Sequence, residues 1–173
     1  MQLSQYISNL LYRYDCVVVP EFGAFLAHKI PAKVQESKNA FYPPSKRLSF
    51  NAQLQTNDGV LANHISEIEQ ISYENALAKI AKQVATLKQR LEKNETIELH
   101  NIGELHNSKD GQLLFEPSYR LNYLTEAFGL TQFASPAISR AKHLKVAEDI
   151  ENKAPIALSP RKRKTQSVYK YAA

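Results

Sequence analysis

Five histidines and two serine–lysine pairs are the residues that could support catalysis or metal binding. The histidines are scattered: His28, His64, His100, His106 and His143. His100 and His106 fall on predicted neighbouring strands, but no carboxylate or cysteine at ligand spacing joins them, and such a pair is more often a surface feature than a zinc site. Ser139 with Lys142, and Ser159 with Lys162, match a hydrolase spacing in a region where nothing predicted would position them.

No cofactor site emerges from the remaining residues. The five glycines are dispersed, so no Gly-rich phosphate loop is formed. Cys16 is the only cysteine, which is typical of a reducing compartment. We therefore predict a chain that is not an enzyme, with no metal, no cofactor and no small-molecule substrate.

A basic segment is the stronger chemical signal. Residues 29–47 hold five basic side chains against the single acid Glu36: Lys29, Lys33, Lys38, Lys46 and Arg47. Lysines along a flexible arm bind phosphates without reading base sequence. These residues are candidate contacts to double-stranded DNA, and the alternative is an ordinary solvated hairpin.

Charge is unevenly distributed over the 173 residues. Residues 1–133 hold 13 Lys+Arg against 14 Asp+Glu, and residues 134–173 hold 9 against 3. Within the first part, residues 56–133 hold 7 basic against 11 acidic residues. The net charge of +5 therefore arises in the C-terminal region, and any DNA affinity of the folded part must be local.

A second basic run lies near the C-terminus: Arg161, Lys162, Arg163 and Lys164. It could flank a membrane helix on the cytoplasmic side, contact nucleic acid, or solvate a linker. We favour the membrane flank, following the positive-inside rule. The N-terminus lacks the basic region of a secretory signal, and no stretch reaches membrane-spanning length.

Hydrophobic periodicity indicates the elements that carry these residues. Helices are predicted over 2–13, 60–68, 73–93 and 119–128, the last one stopped by Gly129. Strands are predicted over 16–19, 22–28, 47–51, 97–100, 104–106 and 113–115. Residues 29–46 form an arm, Asp110-Gly111 a tight hairpin, and residues 134–173 a flexible linker.

One motif occurs twice, 80 residues apart. "VVVPEFGAF" starts at Val17 and "IELHNIGEL" starts at Ile97. A lone glycine between apolar residues, directly after a buried strand, is typical of a tight turn between two strands. The turn residues are Pro20, Phe22, Gly23 and Phe25 in the first copy, and Ile102, Gly103 and Leu105 in the second. We expect the apolar members to point into the core.

The element order resembles the HU/IHF family of DNA-bending proteins. "NDGVLANHISEIEQ", "SYENALAKIAKQVATLKQRLEKN" and "ETIELHNIGEL" resemble its two helices and its strand–turn–strand unit. With "PPSKRLSFN" in the first copy, residues 1–133 resemble a bacterial family with two HU-like domains in tandem. The resemblance implies an α+β fold with helices and a three-stranded sheet in each repeat, over residues 1–58 and 59–133.

The same resemblance implies a place in the cell. In that family the tandem precedes a linker, a membrane helix and a peptidoglycan-binding SPOR domain. It therefore places this segment on the cytoplasmic face of the inner membrane, with the membrane contacted by a segment after residue 173. No peptidoglycan-binding residue is assigned here.

Two functions follow as expectations. The first is a DNA-binding module that tethers DNA to the membrane through the arm of repeat 1. The second is a protein-interaction scaffold, self-associating or binding another protein through HU-like dimerisation surfaces. The near-neutral charge of residues 1–133 favours the second, and the basic charge of the arm favours the first. Three departures from HU bear on DNA binding: repeat 2 has no arm, repeat 2 is acidic, and no proline lies at the middle of the repeat 1 arm.

Overall fold

The computed structural model describes residues 2–108 and 111–135, which belong to one compact unit spanning residues 1–135. The class is α+β, as predicted. The helices are α1 (Gln2–Leu11), α2 (Val60–Glu69) and α3 (Tyr73–Glu92). The strands are β1 (Cys16–Val19), β2 (Gly23–Ile30), β3 (Lys33–Gln35), β4 (Ala40–Tyr42), β5 (Ser45–Asn51), β6 (Ile97–Leu99), β7 (Gly103–Asn107), β8 (Leu113–Pro117) and β9 (Phe133–Ala134).

The strands form three antiparallel sheets within the described residues. The order β1-β2-β5 is the sheet of repeat 1, and β6-β7-β8 is the sheet of repeat 2. A third sheet, β3-β4-β9, was not predicted. It joins the arm of repeat 1 to a two-residue strand at the end of repeat 2.

The turns inside the repeated motif have the same geometry. The Phe22 amide donates to the Val19 carbonyl at 3.1 Å, and the Ile102 amide donates to the Leu99 carbonyl at 3.0 Å. The third residue of each turn has a positive φ, 61° at Glu21 and 65° at Asn101. This is the pattern of a type II turn, in which proline favours the second position that Pro20 occupies.

The glycine of each motif is required by the strand beside it. Gly23 has φ 152° and Gly103 has φ 148°, backbone angles that residues with a side chain rarely adopt. A Cβ on Gly23 would lie 2.8 Å from the Asn51 carbonyl oxygen. On Gly103 a Cβ would collide with the backbone carbonyl of Glu116. The glycines therefore allow the outer strands β5 and β8 to approach closely.

The predicted core residues are buried in both repeats. Phe22, Phe25, Ile102 and Leu105 belong to a single hydrophobic core that includes residues of both repeats. The rings of Phe25 and Phe115 lie 5.6 Å apart, edge to face, so an aromatic contact joins the two sheets. This contact lies within the range for favourable aromatic pairs.

The helices form where their periodicity and caps predict. On α3 the buried face is Ala76, Ile80, Val84, Leu87 and Leu91. The Ser72 hydroxyl accepts a hydrogen bond from the Asn75 amide, which caps the start of α3. At the start of α2, Asp58 accepts from the Val60 amide at 3.0 Å.

The predicted last helix, Tyr119 to Phe128, is wrong. Only a single 3-10 turn, Thr125–Ala127, forms there. Asn122 explains the difference, because its side-chain oxygen accepts from the amides of Lys46 and Leu124, and its amide donates to the Pro44 carbonyl. These bonds hold the segment beside β5 and supply partners that a helix would otherwise provide.

Candidate nucleic-acid interface

The arm of repeat 1 is a hairpin closed by the far end of the described chain. Strands β3 and β4 pair through Lys33↔Tyr42, Val34↔Phe41 and Gln35↔Ala40, and a 3-10 turn over Glu36–Lys38 connects them. β4 then pairs with β9, and the Ser135 amide donates to the Asn39 carbonyl at 2.9 Å. Residue 134, where we predicted the linker to begin, therefore lies in a strand.

The five predicted DNA-contacting residues do not share one face. Directly opposite residues on antiparallel strands project to the same side of a sheet. Lys29 lies opposite Lys46, on the same side as the buried Phe25 and the partly buried Phe50. Arg47 lies opposite His28, on the other side.

Lys46 contributes to the fold. Its side chain is 5 % exposed, and its ammonium group lies 3.0 Å from an Asp15 carboxylate oxygen and donates to the Leu11 carbonyl at 3.1 Å. A cation bound to the last carbonyl of α1 also complements the helix dipole. The hydrogen bond from Lys46 holds the pKa of Asp15 below its ordinary value. We therefore leave Lys46 out of the candidate interface.

Lys29 is exposed and already has an acidic partner. Its ammonium group lies 3.0 Å from a carboxylate oxygen of Glu126, and more than half of each side chain is exposed. Exposed pairs of this kind contribute little to stability and are screened by salt. Lys29 could exchange this partner for a phosphate, but it would leave Glu126 beside that phosphate.

Lys33, Lys38 and Arg47 remain as the arm's candidate contacts, and we call them the arm cations. All three are exposed, and none forms an ion pair with another residue in the described part of the chain. Lys33 and Arg47 both line a groove of about 540 Å³ between the base of the arm and residues 117–132. Lys38 lies on the 3-10 turn at the arm's tip.

Repeat 2 presents the opposite charge on its sheet. Its register aligns Glu98, Glu104 and Glu116 in one row across β6, β7 and β8. All three are exposed and lie on the side away from buried Ile97 and Leu105. With Arg120 they line a hollow of about 170 Å³. This face repels phosphate, and neighbouring like charges also destabilise a sheet.

Three further sequence features concern metal binding, membrane spanning and the C-terminal basic run. In the described residues, no group of three His, Cys, Asp or Glu side chains is arranged to hold a metal ion. None of the helices in that part of the chain combines the length and apolar character needed to cross a bilayer. The basic run Arg161–Lys164 lies outside the described residues.

Sequence reasoning missed an apolar row on the arm, in which Val34 and Phe133 are exposed and Phe41 is half-buried. The register places Val34, Phe41 and Phe133 side by side across β3, β4 and β9. The Phe41 and Phe133 rings are stacked, with centroids 4.8 Å apart and planes within 4°. No local pattern could reveal this row, because Phe133 reaches it from the far end of the second repeat.

Each repeat carries a three-stranded sheet with a glycine directly after its first turn. Two such repeats packed around one core define a tandem of HU-like domains. Comparison with protein-family models agrees. Residues 1–58 match the model described as CCDC81-like prokaryotic HU domain 1, and residues 59–128 match CCDC81-like prokaryotic HU domain 2. The chain therefore belongs to the family of CCDC81-like prokaryotic HU tandems, whose fold is of a DNA-binding type. Neither a curated protein nor a solved structure matches the chain significantly.

Proposed function

We propose that this chain binds double-stranded DNA without sequence preference through repeat 1, and thereby tethers DNA to the cytoplasmic face of the inner membrane. The observation that carries the DNA part is the set of three exposed arm cations, Lys33, Lys38 and Arg47, on an HU-like domain. Cations on phosphates release counterions and provide affinity that does not depend on base sequence.

The proposed DNA contact involves repeat 1 and not the sheet of repeat 2. The glutamate row of repeat 2 opposes an approach of phosphates to that sheet, so the duplex lies along the arm and the adjoining part of β5. Lys46 is engaged by Asp15 and Leu11, and Lys29 by Glu126. Three phosphate contacts are therefore the expected number.

The first prediction concerns salt dependence. Each neutralised phosphate contributes about 0.9 to the slope of log affinity against log salt for a duplex. Three contacts predict a slope of about −2.7, and K33A/K38A/R47A should bring it close to zero. Fluorescence anisotropy with a short duplex measures this, using a chain in which Arg161–Lys164 are replaced by alanine so that they do not imitate the arm.

The matched control removes the same charge elsewhere. Lys82, Lys88 and Lys93 are exposed on or just after α3, away from the arm. Their triple alanine variant should retain most of the slope. If the salt slope of the control falls as much as that of the arm variant, the binding reflects net charge and the assignment to the arm fails. If no duplex binds at about 50 mM salt, where this electrostatic contribution is large, the DNA proposal fails.

The membrane part of the proposal is supported by sequence alone. The basic run Arg161–Lys164 has the composition of a cytoplasmic flank of a membrane helix, and the tandem resembles the cytoplasmic part of membrane-anchored proteins. Fractionation of cells producing the natural gene product should recover it with the inner membrane. Recovery in the soluble fraction would contradict the tether.

A protein-interaction scaffold is the second candidate function. The glutamate row on the repeat 2 sheet favours it, because that face suits a basic protein partner better than a nucleic acid. If the duplex experiment fails, this candidate becomes the better account. Sedimentation over a range of concentrations would separate self-association from binding of another protein.

A further inference from the structure

The groove of about 540 Å³ between the base of the arm and residues 117–132, which we call the arm groove, has a lining that suits a further partner. We propose that it binds an extended peptide segment that alternates acidic and aliphatic side chains. This activity goes beyond the proposed duplex contact and does not depend on it. It also differs from the glutamate row of repeat 2, which suits a basic partner.

The charge of the arm groove is positive and unbalanced. Lys33 and Arg47 line it, both are exposed, and neither forms an ion pair with another described residue. Lys46 lines it as well, but its ammonium group is held by Asp15. None of the described residues in the lining is acidic. Two cations in such a lining attract an anionic partner.

The apolar part of the lining is mainly aliphatic. It includes Ile30, Leu121, Leu130 and three prolines, together with two tyrosines. Leu121 is 37 % exposed and Leu130 is 56 % exposed, so both leucines present apolar surface to the groove. Aliphatic side chains of a partner would pack there and remove this surface from water. A nucleic acid strand supplies anions but has no aliphatic side chains, so the lining favours a peptide.

Polar side chains complete the lining. Ser45 contributes a hydroxyl and Gln132 an amide, and these groups pair with the N–H and C=O groups that a peptide backbone presents. The acyl chain of a lipid would cover the same apolar surface but leave these polar groups without partners. A peptide with acidic and aliphatic side chains therefore matches all three parts of the lining: the cations, the aliphatic surface and the polar groups.

The first experiment titrates a fluorescein-labelled peptide of about eight residues, alternating glutamate and leucine, which spans about 26 Å when extended. The protein is the full 173-residue chain with Arg161–Lys164 replaced by alanine, so that this basic run does not bind the probe. Fluorescence anisotropy should show saturable binding. A peptide with glutamine for glutamate, and one with serine for leucine, should each bind at least about 5-fold more weakly.

Variants of the chain locate the binding site. Leu130→Gln should weaken peptide binding about 5- to 10-fold, because the leucine can no longer bury its exposed surface against the peptide. Ile68→Gln is the matched control, since Ile68 is 50 % exposed on α2 and lies outside the groove. It should bind like the parent chain. Lys33→Gln and Arg47→Gln should each weaken binding about 2- to 5-fold, the range for an exposed ion pair.

A second lining position guards against an effect of folding. Tyr119 is 78 % exposed and lines the same groove, so Tyr119→Ser should weaken peptide binding without changing the melting temperature. Circular dichroism checks the melting temperature of each variant. If peptide affinity falls only in variants that also melt earlier, the loss reflects folding and the groove assignment is wrong.

Uncharged substitutions distinguish this proposal from the duplex contact. Leu130→Gln removes no cation, so the salt slope of duplex binding should stay at about −2.7. An excess of the peptide should weaken duplex binding, because both partners would use Lys33 and Arg47. If no duplex binds, the peptide titration remains a complete test, and if the peptide fails, the salt slope still tests the duplex.

Four results would overturn the inference. The first is no saturable binding up to about 1 mM peptide. The second is an equal loss of affinity in Leu130→Gln and Ile68→Gln. The third is an oligothymidylate that binds more tightly than the peptide and loses affinity in Leu130→Gln, which would assign the groove to a nucleic acid strand. The fourth is a concentration-dependent dimer that Leu130→Gln abolishes, which would assign it to a second copy of this chain.

Discussion

Gly23 and Gly103 show how a single missing side chain determines strand spacing. Each lies at the start of the second strand of its sheet, at the same place relative to its turn. A methyl group there would meet both an unfavourable φ and the backbone of the outer strand. The requirement is therefore steric as well as conformational.

Replacing Gly103 by alanine should destabilise the chain by about 2–5 kcal/mol. The left-handed backbone contributes about 1–2 kcal/mol, and overpacking against Glu116 and Phe115 adds about 1–3 kcal/mol. Gly129→Ala is the control, because Gly129 has φ 80° but nothing within 4 Å of the added methyl group. Urea denaturation measures both variants. Equal losses would show that the collision at Gly103 is relieved without cost.

The glycine motif could be predicted because its signal is local: an apolar strand, a turn and a glycine within nine residues. The role of Asn122 could not. Its partners Lys46 and Pro44 are far away in sequence, so the apolar spacing from Tyr119 to Phe128 indicated a helix that the Asn122 hydrogen bonds replace. Local periodicity does not report such tertiary hydrogen bonds.

At the scale of elements, a cluster of polar side chains fastens the three helices together. Glu69, at the end of α2, accepts a hydrogen bond from Tyr6 of α1 at 2.6 Å. It also binds the Lys79 ammonium of α3 at 2.5 and 2.6 Å. The Lys79 hydrogen bond, with that of Tyr6, lowers the pKa of the Glu69 carboxyl.

This shift predicts a pH dependence of stability. Because the pKa of Glu69 is lower in the folded state, its contribution is present above the ordinary glutamate pKa of about 4.3 and is lost as the pH falls through the folded value. Glu69→Gln should therefore melt at a lower temperature than the natural chain at pH 7. The difference between the two melting temperatures should become smaller near pH 3.

Glu92→Gln provides the comparison, since Glu92 is exposed at the end of α3 and forms no ion pair with a described residue. Its melting temperature should follow that of the natural chain at both pH values. If the difference in melting temperature between Glu69→Gln and the natural chain stays constant with pH, that result would contradict a role for the charged carboxylate.

Elements with strong periodicity were predicted well, and those formed by distant pairing were not. The helical spacing of apolar residues predicted a helix over 73–93, and α3 spans Tyr73–Glu92. β9 has only two residues and exists because β4 offers an unpaired edge. The arm was expected as an insertion, but its closure into a three-stranded sheet depends on residues 133–135.

At the scale of the whole molecule, Tyr123 links the two repeats. It is completely buried, and its hydroxyl donates to the Asn101 carbonyl at 3.0 Å and lies 3.0 Å from the Ser8 hydroxyl. Burial raises the pKa of Tyr123. One phenol therefore connects α1 of repeat 1 to the turn that precedes Gly103 in repeat 2.

Tyr123→Phe should destabilise the chain by about 1–3 kcal/mol, because it leaves the buried Ser8 hydroxyl and the partly buried Asn101 carbonyl without this partner. Thermal unfolding followed by circular dichroism measures the loss. Tyr119→Phe should leave the melting temperature unchanged, since Tyr119 is exposed. If Tyr123→Phe melts like the natural chain, water has replaced the hydroxyl.

The charge asymmetry of the molecule was visible in the sequence, but its geometry was not. Counting residues identified a basic arm and an acidic second repeat. Only the β2–β5 register shows that Lys46 and Arg47 lie on opposite sides, and only the β6–β7–β8 register aligns three glutamates. Register depends on long-range pairing, and a shift of one residue exchanges the faces.

The closure of the arm by β9 has a consequence for how the protein is made. On the ribosome, domains generally fold from the N-terminus as they emerge. Here the first repeat cannot complete its core or its arm at that stage, because Tyr123 and Phe133 have not yet been synthesised. The Ser8 hydroxyl pairs with the Tyr123 hydroxyl, which is 115 residues later in the chain. The nascent first repeat therefore exposes its unpaired β4 edge until almost all of the compact unit has emerged, and its arm is complete only when the second repeat has been made.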